Sequence, residues 1–391
     1  MPFRRVILIV LDGVGIGGMP DAVDYGDADA ATLQHVAEAA GGLELPNLDR
    51  LGLARVAPYA GGDPQVPVCG AYGSMRERAC GKDSTAGHWE LMGVVLDAPL
   101  PSFPNGFPRE IIRAFEQRIG VAVLGNIAAS GTDIIQRLGP EHLRTGCPIV
   151  YTSVDSVFQV AAHVDRVPKE QLYQWCETAR ELLNPLRVGR VIARPFAGSP
   201  EQGFARVAGR HDYSLPPVGE TVLDRLTARD IPVHAIGKIC DLYAGRGLST
   251  QLPTANNDEG MDAILAALAQ REEGLIFANL VDFDMVWGHR LDWAGFARGL
   301  GRFDAWLETL LPHLEDDDLL LITADHGCDP TTPGTDHTRE RVPVLAWQAG
   351  FSGPVELGER DSFADVGATV ADNFGVDSPV GRSFLGALTS G

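Results

Sequence analysis

Arg5-Val-Ile-Leu-Ile-Val-Leu11, followed at once by Asp12, is the stretch that decides the fold. Its apolar, largely β-branched residues are continuous rather than alternating. That is the pattern of a strand buried on both faces, as in parallel sheets covered by helices. Similar runs recur at Ile231–Ile236, Gly274–Val281, Asp318–Thr323 and Val342–Trp347. Helical patterns lie between or beside them, at Glu220–Arg229, Glu259–Arg271, Trp293–Leu311 and Phe363–Phe374. The alternation predicts an α/β fold, a mostly parallel sheet with helices on both faces.

At 391 residues the chain is long enough for two domains. Its middle reads differently from its ends. Pro99, Pro101, Pro104 and Pro108 punctuate one junction, and Leu215-Pro-Pro-Val218 a second. Between them lie helical patterns at Arg109–Arg118 and Lys169–Leu183, and short strands at Val121–Leu124, Pro148–Thr152 and Arg190–Arg194. This predicts an inserted α+β domain over 99–217, of roughly 120 residues. The core is then discontinuous, built from 1–98 and 218–391.

The formal net charge is −20. Such a surface repels phosphate backbones and anionic lipid, which argues against nucleic-acid and membrane partners. Six cysteines are scattered without a Cys-x-x-Cys pair, as expected of reduced packing thiols. Val6–Leu11 is far too short for a membrane span, and no cleavage pattern follows it, so a cytoplasmic enzyme is expected.

Three of the buried strands end in acids: Asp12, then Asp282 and Asp284, then Asp325 with His326. Ligands of open α/β sheets bind outside the carboxyl ends of strands. Strand-end aspartates commonly cap the next turn, and Asp12 alone would be read that way. Three acidic ends on one edge repel one another by several kcal/mol unless a cation lies between them. Asp284 and His289 are five residues apart, about 140° around a regular helix, so they fit a strand end running into a turn. His337 lies in the loop-like stretch Pro333-Gly-Thr-Asp-His-Thr-Arg-Glu340. Mixed carboxylate and imidazole ligands without cysteine suit Mn²⁺, Zn²⁺ or Fe²⁺. Six such residues exceed the need of one tetrahedral ion and point to a metal pair, which serves phosphoryl transfer.

Gly81-Lys-Asp-Ser-Thr-Ala-Gly-His-Trp-Glu90 is the other dense motif. Its hydroxyls read either as a helix cap or as a metal-activated nucleophile, and both can hold at one helix N-terminus.

Together with Val10-Leu-Asp-Gly-Val-Gly-Ile-Gly17, Val281-Asp-Phe-Asp-Met-Val-Trp-Gly-His289 and Ala324-Asp-His-Gly-Cys-Asp-Pro-Thr-Thr-Pro-Gly-Thr-Asp-His-Thr-Arg-Glu340, this motif resembles those of prokaryotic phosphopentomutases, in the alkaline phosphatase superfamily. The likeness runs essentially end to end. It implies an alkaline-phosphatase-like core, with the insertion 99–217 as a cap that excludes water. It implies two Mn²⁺ ions, one on Asp12, Asp325 and His326, the other on Asp284, His289 and His337. The nucleophile falls on Ser84, where the family usually has Thr, with Thr85 as the neighbouring hydroxyl. Asp155 is implied for the sugar hydroxyls. Arg190, Arg206 and Lys238 are implied for the distal phosphate or sugar, with Arg194 and Arg210 nearby. The implied reaction interconverts α-D-ribose 1-phosphate, or its 2-deoxy form, with the 5-phosphate through a phosphoenzyme and a 1,5-bisphosphate. A trace sugar bisphosphate, glucose 1,6-bisphosphate or ribose 1,5-bisphosphate, would prime it, and no obligate protein partner is implied. A cofactor-independent phosphoglycerate mutase, a phosphomonoesterase and a non-catalytic metal-binding protein are the alternatives. The nucleophile motif argues against the first two, and the full ligand set against the third.

Overall fold

The structure is a computed structural model that describes residues 2–153, 156–270, 273–351 and 353–389. Its strands are, in chain order, β1 (Arg5–Leu11), β2 (Ala71–Met75), β3 (Leu124–Ala128), β4 (Ile149–Thr152), β5 (Val157–His163), β6 (Arg190–Ser199), β7 (Gly203–Arg206), β8 (His211–Ser214), β9 (Val233–Ile236), β10 (Thr250–Leu252), β11 (Gly274–Leu280), β12 (Asp318–Thr323), β13 (Val342–Trp347) and β14 (Val355–Arg360). The chain forms two compact units, Met1–Pro99 with Gly219–Gly391, and Leu100–Val218.

The first unit carries an eight-stranded sheet in the order β10-β9-β11-β1-β12-β13-β2-β14. Strand β1 runs parallel to both β11 and β12, with Leu11 beside Leu280 and Val10 beside Thr323. All three strands are buried along their whole length, as their unbroken apolar runs require. At the opposite end Arg5 and Asp318 are register partners, and both are buried. The guanidinium donates to both carboxylate oxygens at 2.6 Å and to Leu268 O at 2.9 Å. That bidentate pair fixes the register, and with it the level at which the other strand ends emerge.

Strand β13 is antiparallel to β12 and to β2. The chain leaving β12 makes a long loop, Ala324–Arg341, at the acidic edge and re-enters the sheet in reverse. Strands β2 and β14 carry no continuous apolar run and were not predicted. Gly73 in β2 is closely approached by Gly358 O, leaving no room for a side chain.

The second unit has a sheet ordered β3-β4-β5-β6-β7, with β8 beside β6. Phe107, Phe115, Phe158, Leu172 and Trp175 form one buried cluster, with helices Arg109–Ile119 and Lys169–Leu183. Ile134, Ile135, Tyr151, Phe196 and Phe204 form another, with helix Gly131–Thr145. That helix was not predicted: Gly131, Gly139 and Pro140 interrupt its local helical pattern. Its packing explains Gly139: a Cβ there would strike the Phe204 ring. The first strand starts at Leu124 rather than ending there. No helix among the described residues is long and apolar enough to cross a membrane.

Candidate metal centre

The parallel register of β1, β11 and β12 brings Asp12, Asp284 and Asp325 out at one edge of the sheet. Beyond β11 the chain makes a π-helical turn, Phe283–Trp287, and a tight turn, Gly288–Arg290. Widened turns of this kind recur at functional sites. Here they return His289 to Asp284, Nε2 to Oδ1 3.2 Å, despite the five-residue spacing. His337 comes from the long loop and places Nε2 3.2 Å from the same oxygen. On the other side His326 Nε2 lies 3.4 Å from Asp12 Oδ1 and 3.3 Å from Asp325 Oδ2. The three imidazoles lie side by side, with ring centroids 4.0 Å apart for His326 and His337 and 4.7 Å for His289 and His337.

The donor set fits a metal. Asp12 Oδ1, Asp284 Oδ1 and Asp325 Oδ2 are buried and accept no well-formed hydrogen bond, with only imidazole nitrogens near them. Leaving one such oxygen unsatisfied is costly, and three in one pocket call for a cation. The imidazole tautomers agree. His326 Nδ1 donates to Gly327 O at 3.0 Å, and His289 Nδ1 to Thr335 O at 2.7 Å. A carbonyl only accepts, so in each neutral ring Nε2 keeps its lone pair toward the carboxylates. Electrostatics show the same deficit of positive charge. Burial alone would push the His326 imidazole down, but Asp325, Asp12 and Asp284 carry it well above its ordinary value. Burial pushes Asp284 up, yet His337, His326 and His289 hold it well below the usual carboxylate range. Asp12, Asp325 and His326 form one metal-compatible group, and Asp284, His326 and His337 another.

Ser84 joins this centre. It opens helix Ser84–Leu91, whose N-cap Asp83 accepts from Thr85 N and Ala86 N. Ser84 Oγ lies 3.0 Å from His326 Nε2. Gly87 permits the approach, since a Cβ there would strike Asp325 O. Lys238, just beyond β9, is near enough for its charge to favour ionised Asp12.

Three neighbours of the centre were given no role from the sequence, although His88 stands in the Gly81–Glu90 motif and was placed near the nucleophile turn. His88 is fully buried, 2.9 Å from Ser84 O and 3.0 Å from Asp325 Oδ2 through Nδ1. Asn279 Nδ2 donates to Asp12 Oδ2 at 2.9 Å and lies 3.2 Å from His88 Nε2. A polar residue inside the run Gly274–Val281 was the available signal. Cys328, buried beside His326, forms a third metal-compatible group with Asp284 and His289, although no cysteine ligand was expected.

The loops are pinned from behind. Glu340 accepts from Gly17 N, Thr32 N, Thr32 Oγ1 and Thr338 Oγ1. Arg339 donates to Glu77 Oε2, Ala79 O and Gly81 O at 2.6–2.8 Å, tying the His337 loop to the segment that leads into Ser84.

Arg190 and Arg206 belong to the second unit. Arg206 Nη2 donates to Tyr151 Oη at 3.4 Å, and a Cβ on Gly131, at the N-terminus of its helix, would collide with it. Arg194 donates to Gln159 Oε1 at 3.0 Å, and burial with the charges of Arg210 and Arg206 pushes its guanidinium down. Arg210 is paired with Asp212 at 2.6 Å, and Arg190 lies 3.8 Å from the same carboxylate. This concentration of guanidinium groups suits a phosphate. Asp155 lies outside the described residues.

A family model of the metalloenzyme superfamily matches residues 4–378. A phosphopentomutase of Syntrophotalea carbinolica is 55% identical over 386 residues, 99% of this chain and 98% of its own. One of Carboxydothermus hydrogenoformans is 52% identical, covering 98% of this chain and 99% of its own. Among solved structures, the PH0037 protein of Pyrococcus horikoshii superposes with a TM-score of 0.50 at 14% identity, over 97% of this chain and 100% of that one.

Proposed function

The chain belongs to the phosphopentomutases of the metalloenzyme superfamily, and we propose that it interconverts α-D-ribose 1-phosphate and ribose 5-phosphate, and the 2-deoxyribose pair, through phosphorylated Ser84. The observation that carries the assignment of Ser84 is its Oγ, 3.0 Å from His326 Nε2 beside three buried carboxylate oxygens that accept no well-formed hydrogen bond.

Asp12, Asp325 and His326 hold one cation in this reading, and Asp284, His289 and His337 the other; His326 also stands in the second geometric group, between the two. When bound, two Mn²⁺ ions supply neutralisation of the carboxylates and of charge developing on the transferring phosphoryl group. Ser84 carries that group at a helix N-terminus, where backbone amides favour an anion. The phosphoryl group passes from Oγ to the free hydroxyl of the sugar phosphate, giving the 1,5-bisphosphate. The other phosphate then returns to Oγ. The proton lost by one sugar hydroxyl is balanced by the proton gained at the other. His88 and Asn279 keep Asp325 and Asp12 oriented throughout.

The second unit is the cap in this reading. Arg190 and Arg206 hold the distal phosphate, with Lys238 and Asp155 on the sugar. Exclusion of water protects the phosphoenzyme from hydrolysis. Trace glucose 1,6-bisphosphate or ribose 1,5-bisphosphate phosphorylates resting Ser84. The setting is cytoplasmic, and the substrates are small sugar phosphates.

Ribose 1-phosphate assayed with Mn²⁺ and trace glucose 1,6-bisphosphate should yield ribose 5-phosphate with almost no inorganic phosphate. Phosphopeptide mapping should place the label on Ser84. Phosphate release without isomerisation would mean a phosphatase on the same metal site and refute the substrate assignment, and label on Thr85 alone would refute the Ser84 assignment.

A further inference from the structure

Cys328 is 1% exposed and lies immediately behind the His289 side of the metal centre. Its Sγ is 4.0 Å from Nδ1 of the His289 ring, whose Nε2 faces Asp284. Asp284, His289 and Cys328 can each bring a ligand atom within 4.8 Å of the other two. Asp284 is 4% exposed, and its Oδ1 accepts no well-formed hydrogen bond. The thiol is seated by design of the backbone. Cys328 N donates to Gly13 O at 2.9 Å. A Cβ on Gly13 would press on Cys328 Cβ, and one on Gly288 would strike its Sγ. The buried Cys176, by contrast, sits in an apolar cluster of the second unit.

We infer that Asp284, His289 and Cys328 form an alternative, thiolate-containing site for thiophilic divalent cations such as Zn²⁺ or Cd²⁺. It rests on the reading of Asp284 and His289 as metal ligands. An ion that prefers oxygen and nitrogen, such as Mn²⁺, is served by Asp284, His289 and His337; a softer ion gains from exchanging His337 for sulfur. On binding, the Cys328 S–H bond breaks, its proton leaves to solvent, and the sulfur electron pair forms the metal–sulfur bond. No oxidant or reductant is needed.

The test is a Cd²⁺ titration of the metal-free full chain, followed in the ultraviolet for thiolate-to-cadmium charge transfer. The band should grow to saturation at one Cd²⁺ per chain. Cys328→Ser should lack it and bind Cd²⁺ at least about 10-fold more weakly, with Mn²⁺ binding unchanged. Cys328→Ala, checked for native circular dichroism, provides the same comparison if the serine disturbs folding. Cd²⁺ binding without the band, or a band that survives in both variants, overturns the inference. Equal weakening of Mn²⁺ and Cd²⁺ overturns it too, leaving Cys328 a positioning residue. Asp284→Asn separates the two levels: retention of both ions at full stoichiometry would defeat the ligand assignment itself.

Discussion

Arg339→Met should destabilise the first unit by about 4 kcal/mol at pH 8 and by only about 2 kcal/mol at pH 5. Arg339 is 3% exposed, and its guanidinium meets Glu77 Oε2 at 2.7 Å, Glu77 O at 3.0 Å, Ala79 O at 2.8 Å, Gly81 O at 2.6 Å and the half-exposed Asp21 carboxylate at 3.0 Å. Removing one partner of a buried ion pair typically costs about 3–5 kcal/mol, because the other charge is left uncompensated. Here that charge is Glu77. Burial already pushes its carboxyl well above the usual range, against the pull of Arg339. Without Arg339 it rises further. The folded variant then binds a proton that the unfolded chain releases above about pH 4.3, so unfolding becomes easier as pH rises through that value toward the raised one. At pH 5 the raised Glu77 carboxyl is more protonated in the folded variant than at pH 8, so its uncompensated charge weighs less, and the remaining loss is the three carbonyl bonds and the half-exposed Asp21 pair, worth about 2 kcal/mol together after relaxation. Urea denaturation of variant and parent at the two pH values measures the difference. An equal deficit at both would refute the assignment of a buried, Arg339-dependent charge on Glu77. The same variant should lose turnover, since Gly81 leads directly into the Ser84 helix.

Gly87→Ala should cost about 1–3 kcal/mol by overpacking against Asp325 O. It should also lower kcat by moving Ser84 away from His326, and a variant with unchanged kcat would count against that positioning. Chelation should lower the melting temperature, and Mn²⁺ at 100 times its Kd should restore about 2.7 kcal/mol. A melt indifferent to metal would contradict the reading of the three buried carboxylate oxygens.

The strands that build the centre were legible because complete burial leaves a plain mark: Arg5–Leu11, Gly274–Leu280 and Asp318–Thr323 are apolar almost without interruption. The acids that follow them stood out against that background. Strands β2 and β14 carry no such mark, since alternate residues face a less buried side. Helix Gly131–Thr145 was hidden because its glycines serve tertiary contacts, with Arg206 and Phe204, that no local pattern records.

By itself the sequence determined the class of fold, the type of ligand chemistry and the family, because these depend on burial periodicity, donor type and motif order. Only the tertiary structure decided which donors meet. His326 lies between Asp12, Asp325 and Ser84, His88 backs Asp325, and Cys328 reaches the Asp284 side. Those meetings join residues far apart in the chain, from Asp12 to His337, through parallel strand register and close glycine contacts. Both are properties of the packed sheet and are invisible to local spacing.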